Sequence, residues 1–85
     1  MTSLEELRTQ LSDVDDQITD LYEKRMKICE DLGTCKIKNG YKTFDRQREK
    51  NKIAEVMGKV SSDFNKKGIG EVYELLLAIS RKLQY

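Results

Sequence analysis

The sequence predicts an all-α protein of three helices, because apolar residues recur every three to four positions and no proline interrupts them. Its 85 residues suit one domain, which we place over residues 1–85. A chain this short buries a small core, so a staple or a partner chain is expected to stabilise it.

The first predicted helix is unusually long and runs from Leu4 to Lys38. Ser3 is its expected N-cap, and Gly40 supplies a left-handed stop. Its apolar residues form one line, the α1 seam, which comprises Leu4, Leu7, Leu11, Val14, Ile18, Leu21, Ile28 and Leu32. Arg25 occupies the position that continues this seam between Leu21 and Ile28. A guanidinium in an apolar seam requires a compensating partner or a role in fixing register.

Two shorter helices follow. The second is predicted from Thr43 to Val60, and its apolar stripe contains Ile53, Val56, Met57 and Val60. The stretch SSDFNKKG, residues 61–68, is expected to break it. The third is predicted from Gly70 to Gln84, and its stripe contains Val72, Leu75, Leu76, Ile79 and Leu83.

The helix lengths predict an assembly of two chains. The first helix would be about 50 Å long, whereas a compact globule of this chain length would be only about 30 Å across. The two shorter helices therefore cannot cover the α1 seam. We expect an intertwined helical homodimer in which the long helices pack against each other.

Composition argues against several classes of protein. The 16 Lys and Arg nearly balance the 15 Asp and Glu, which disfavours a nucleic-acid binder with a basic face. The chain has neither a signal-peptide pattern nor an apolar run of the ~20 residues a membrane span needs, so a cytoplasmic protein is expected. Cys29 and Cys35 lie on one helix and should be free thiols. Because the chain also has no histidine, no metal and no cofactor are expected.

Polar side chains point towards the interior from all three predicted helices. Residues eleven apart share a helix face, and residues four apart are neighbours. Those rules select seven residues, which are Arg25, Lys36, Asp45, Arg48, Glu49, Ser80 and Gln84.

Each of these residues alone has an ordinary structural explanation. Arg25 could fix a coiled-coil register, Asp45 could favour a helix N-terminus, and the others could be surface residues. Taken together, the inward cations outnumber Asp45 and Glu49 if Arg8 is included. Burying such cations is costly without an anion, so the set predicts an anionic ligand, and Arg suits carboxylates.

The same residues fall in an ordered motif, R-x(16)-R-x(10)-K-x(8)-D-x(2)-RE followed by S-x(3)-Q. With the segments LRTQLSDVDDQITDLYEKR, GTCKIKNG, TFDRQRE and LLLAISRKLQ, the chain resembles the all-helical chorismate mutases over essentially its whole length. The resemblance implies an enzyme that converts chorismate to prephenate in phenylalanine and tyrosine biosynthesis. It also implies intertwined dimers with two shared sites.

The resemblance further implies a role for each residue at the reacting end of the substrate. Arg25 would bind a substrate carboxylate with Ser80 nearby. Lys36 and Gln84 would donate hydrogen bonds to the ether oxygen of the breaking C–O bond. Holding the folded conformer and stabilising the oxygen that gains charge are the two contributions such a rearrangement needs.

The other implied roles lie at the ring and at the second carboxylate. Glu49 and the backbone at Asp45 would hold the substrate hydroxyl, and Arg48 would orient the ring-carboxylate end. Arg8 would reach the enolpyruvyl carboxylate in the partner subunit's site. Arg8 lies about 25 Å before Arg25 on the helix, so one small ligand cannot contact both residues of the same chain. Arg8 therefore either does not bind the ligand of Arg25 or belongs to the site of another chain.

Two rival functions remain open. Isochorismate pyruvate lyase shares the fold and much of the cationic set, although the segment DRQRE looks more like the mutases. A non-catalytic helical dimerisation module is the rival of a different class. The chain ends one residue past Gln84, so it is expected to be either a stand-alone mutase or a domain of a bifunctional protein.

Overall fold

The computed structural model describes residues 3–38, 40 and 45–83, and these form three helices. Helix α1 spans Leu4–Lys38, α2 spans Arg46–Gly58 and α3 spans Asp63–Arg81. The described ranges contain no strand, so the prediction of an all-α fold with three helices is confirmed.

Helix α1 has the predicted bounds, and its N-terminus is closed by a capping box. Ser3 Oγ accepts a hydrogen bond from Glu6 N at 3.1 Å, while Ser3 N donates to Glu6 Oε2 at 3.4 Å. Beyond its C-terminus, Gly40 has φ +73°, which is the left-handed conformation that glycine adopts without strain. Both expected end signals are therefore present.

Helix α2 is shorter than predicted at its C-terminal end. Its N-cap is Asp45, whose Oδ1 accepts from Arg48 N at 3.1 Å, and the predicted start at Thr43 lies outside the described residues. The helix ends at Gly58 rather than Val60, because glycine is a poor helix former and Lys59 N turns back to Val56 O.

Helix α3 begins earlier than predicted, at Asp63 instead of Gly70, so the expected break over residues 61–68 is wrong for most of that stretch. Ser62 is the N-cap, and its Oγ accepts from Asn65 N at 3.0 Å. The carboxylate of Asp63 in the first turn also interacts favourably with the helix dipole. These end interactions outweigh the cost of Gly68 inside the helix.

Helices α2 and α3 pack closely through Gly70. A Cβ built on this residue would lie 3.2 Å from Met57 Sδ, so glycine permits the close approach. The buried apolar residues of the described chain are Cys29, Val56 and Leu77. Leu77 is absent from the predicted α3 stripe, whereas the predicted Leu75 is 63% exposed, so the buried face is rotated from the expected one.

The molecule is elongated, with principal extents of 57 × 25 × 15 Å. Its radius of gyration is 16.2 Å, compared with about 12 Å for a compact chain of this length. All eight members of the α1 seam are between 42% and 65% exposed. Within one chain the seam is therefore uncovered, as its length predicted.

The remaining expectations concern cysteines and membranes. Cys29 is buried and Cys35 is exposed, and the two are not joined by a disulfide. Among the described residues, no helix combines the length and the apolar character needed to cross a membrane.

Candidate active site

A cavity of about 220 Å³ lies where the three helices meet. Helix α1 supplies one wall, the first turns of α2 a second, and the C-terminal half of α3 a third. Its lining residues are Arg25, Cys29, Leu32, Lys36, Asp45, Arg48, Glu49, Lys52, Leu77 and Ser80. Six of the seven residues selected by helical spacing thus line one cavity, and the seventh, Gln84, lies outside the described residues.

Arg25 reaches the cavity from α1 and is held by neutral groups. Its Nη1 donates to Ser80 Oγ at 2.6 Å and to Cys29 Sγ at 3.5 Å, and its guanidinium lies 5.8 Å from the centroid of the Tyr73 ring. Within the part of the chain that the structure describes, Arg25 makes no ion pair. The half-buried positive charge is therefore oriented but not neutralised.

Ser80 fixes the direction of this guanidinium. It is only 3% exposed, and its hydroxyl donates to Leu76 O at 2.7 Å. Because a hydroxyl has a single proton, the lone pairs of Ser80 Oγ are left to accept from Arg25. Helix α3 thus supplies a fixed acceptor for a cation carried by α1.

The first turn of α2 brings three of the predicted residues to the cavity. Asp45 caps the helix through its side chain, and its backbone carbonyl accepts from Glu49 N at 3.2 Å. The ordinary structural explanation of Asp45, a carboxylate at a helix N-terminus, is therefore confirmed. Glu49 is one turn further on and forms an ion pair with Arg81 of α3.

The charge lining the cavity is predominantly positive. The cations Arg25, Lys36, Arg48 and Lys52 number four, against two carboxylates, Asp45 and Glu49, which leaves a formal excess of 4 − 2 = +2. Such a lining favours an anionic ligand.

Lys52 was not selected from the sequence, although it lies three residues after Glu49 on the same helix face. Its Nζ is 3.0 Å from Glu55 Oε2. Hydrogen bonds from Lys52 and then Lys59 hold the pKa of the Glu55 carboxyl below its ordinary value. The charge of Lys52 is therefore partly neutralised by Glu55, which does not line the cavity.

Arg8 is the predicted site residue that does not reach this cavity. It is an exposed residue of α1, and its seventeen-residue separation from Arg25 corresponds to about 25 Å along the helix. The described residues also contain no group of three or more Cys, Asp or Glu placed to hold a metal ion.

Comparison with known protein families places the chain in one of them. The sequence model of the chorismate mutase type II family matches residues 7–85, which is nearly the whole chain. A search of curated proteins finds none that matches.

Proposed function

This chain belongs to the chorismate mutase type II family, and from that premise we propose that it rearranges chorismate to prephenate in the cavity between its helices. The observation that carries the proposal is Arg25, a half-buried guanidinium that faces the cavity with only neutral partners. Chorismate is a dianion, so one of its carboxylates would supply the missing negative charge.

The reaction is a unimolecular rearrangement that requires no nucleophile, so binding geometry and electrostatics must supply the rate enhancement. Cations placed on separate helices can hold both ends of the substrate in the folded, reactive conformer. We assign one carboxylate to Arg25 with Ser80 nearby, and the ring-carboxylate end to Arg48. The positions of these groups around one cavity support the assignment.

Lys36 is proposed as a donor to the ether oxygen, together with Gln84. Negative charge develops on that oxygen as the C–O bond breaks, so a fixed donor is worth more in the transition state than in the ground state. Glu49 and the backbone at Asp45 are proposed to hold the substrate hydroxyl. Prephenate would then feed phenylalanine and tyrosine biosynthesis in the cytoplasm.

We also propose that the active form is an intertwined homodimer. The exposed α1 seam supports this, because a monomer would leave eight large apolar side chains in contact with water. A second copy carries the same seam and would cover it. Arg8 would then reach the enolpyruvyl carboxylate in the partner subunit's site. In a single chain, the site has no Arg8 within reach.

The direct test is to incubate the purified chain with chorismate and quantify both chorismate and prephenate. We expect prephenate to form in step with chorismate loss. Arg25→Met should abolish most of the rate, whereas Lys27→Met, which removes an exposed cation from the same helix, should retain it. A folded chain that leaves chorismate unchanged would contradict the proposal, and conversion of isochorismate to salicylate and pyruvate would favour the lyase instead.

A further inference from the structure

An ion pair joins the two helices that close the cavity. Arg81 Nη1 of α3 donates to Glu49 Oε1 of α2, and the two side chains are only 35% and 21% exposed. The ion pairs Lys27–Asp31 and Lys52–Glu55 differ, because each lies within one helix. Arg81 itself is not a lining residue of the cavity, whereas Glu49 is.

We propose that Arg81 is a positioning residue that acts through Glu49, an inference that rests on the proposed function. Its guanidinium holds Oε1, so Oε2 is the oxygen presented to the hydroxyl of bound chorismate. A carboxylate has two oxygens that accept independently, and occupying one restricts the orientation of the other.

Positioning matters because Glu has a flexible side chain. Fixing a long polar side chain in one rotamer costs conformational entropy. With Arg81 in place, that cost is met during folding rather than during substrate binding or at the transition state. The hydroxyl of chorismate would therefore meet an acceptor that is already oriented.

The neighbour of Arg81 in sequence has a parallel role. Ser80 holds Arg25 of α1, while Arg81 holds Glu49 of α2. One turn of α3 thus orients a cavity-facing cation from the first helix and a cavity-facing carboxylate from the second. Through Arg81, α3 would thus act on the site with a side chain that does not line it.

A purely structural link between α2 and α3 makes different predictions. A partly exposed ion pair contributes little to stability. If Arg81 only joined the helices through this ion pair, its removal would lower the melting temperature slightly and would slow chorismate and a substrate without the ring hydroxyl alike. If it orients Glu49 towards that hydroxyl, its effect on catalysis must disappear with such a substrate, and also once Glu49 can no longer serve.

The test is a double-mutant cycle with Arg81→Met, Glu49→Gln and the double variant, in which kcat and KM for chorismate are measured with the melting temperature. We expect Arg81→Met to lower kcat/KM about tenfold in the parent and less than about twofold in the Glu49→Gln background. Arg81→Lys should recover part of the loss. Lys67→Met, an exposed charge removal on α3, serves as the matched control and should leave kcat/KM unchanged.

The cycle shows whether Arg81 acts through Glu49, and a second substrate separates positioning from a structural link. With a chorismate analogue that lacks the ring hydroxyl, Arg81→Met and the parent should react at nearly equal rates. If Arg81→Met does not fold, Arg81→Gln and Arg81→Lys replace it in both comparisons. An equal loss in both Glu49 backgrounds, or an equal loss with the analogue, overturns the role of Arg81 but leaves the proposed function intact, whereas a parent that forms no prephenate overturns both.

Discussion

Arg25 is proposed to bind the substrate, but its half-buried charge lowers the stability of the folded chain. Removing its charge from water is costly, and its described partners are neutral. The Ser80 hydroxyl would keep its bond to Leu76 O without Arg25, so no buried polar atom would be left unsatisfied. The guanidinium is therefore best explained by a ligand.

We predict that Arg25→Met stabilises the folded protein by about 1 kcal/mol while it removes activity, because an apolar side chain of similar length suits the seam. Thermal unfolding and the oligomeric mass should be measured together. A changed oligomeric mass with unimpaired activity would instead identify Arg25 as a register-fixing residue.

Substitution of Lys36 tests the electrostatic part of the proposed mechanism. Lys36→Ala should lower kcat by about 10²-fold or more and change KM much less, because an ether-oxygen donor acts mainly in the transition state. Lys38→Ala removes an exposed cation from the same last turn of α1 and is the matched control. A rise in KM alone would contradict this role for Lys36.

Helical spacing alone was sufficient to predict most of the polar residues that line the cavity. Arg25 and Lys36 share a face because they lie eleven residues apart, and Glu49 follows Asp45 by one turn. Arg81 was missed, since its contact with Glu49 depends on how α3 is rotated against α2. Periodicity within each helix does not determine that rotation between helices.

At the level of elements, helix ends were predicted well where one strong cap was present. Ser3 and Gly40 marked α1 correctly. The stretch SSDFNKKG suggested a break before a third helix at Gly70, yet the cap at Ser62 starts α3 inside that stretch. Gly70 is accommodated because it allows Met57 to approach closely, which is a tertiary effect that local propensity does not contain.

Asp45 offers a prediction at the start of α2. Asp45→Ala removes the N-cap and should destabilise the protein by about 1 kcal/mol, whereas Asp45→Asn keeps a capping oxygen and should be nearly neutral. Denaturant unfolding measures the first effect. Because the proposed substrate contact is the backbone at Asp45, the Asn variant should also retain kcat/KM, and a large loss there would show that the carboxylate itself acts on the substrate.

At the level of the whole molecule, the sequence predicted an elongated helical chain with an uncovered seam, and the extents of 57 × 25 × 15 Å agree. This succeeded because helix length is a direct consequence of residue number. The pairing of two chains remains a proposal, since a single chain shows the apolar surface but not what covers it.

In the proposed dimer, each active site is completed by the other subunit, with Arg48 from one chain and Arg8 from its partner. Homodimers of Arg8→Ala and of Arg48→Ala should each be nearly inactive, since every site lacks one cation. In a mixed dimer, one site lacks both and the other lacks neither.

The decisive measurement is therefore the activity of Arg8→Ala and Arg48→Ala chains co-refolded from denaturant in equal amounts, with each variant refolded alone as a control. Random assembly makes about half of the dimers mixed and leaves about a quarter of all sites intact. We expect chorismate mutase activity to recover to about a quarter of the parental value. A mixture that contains the mixed dimer by mass spectrometry but remains as inactive as its parts would contradict it.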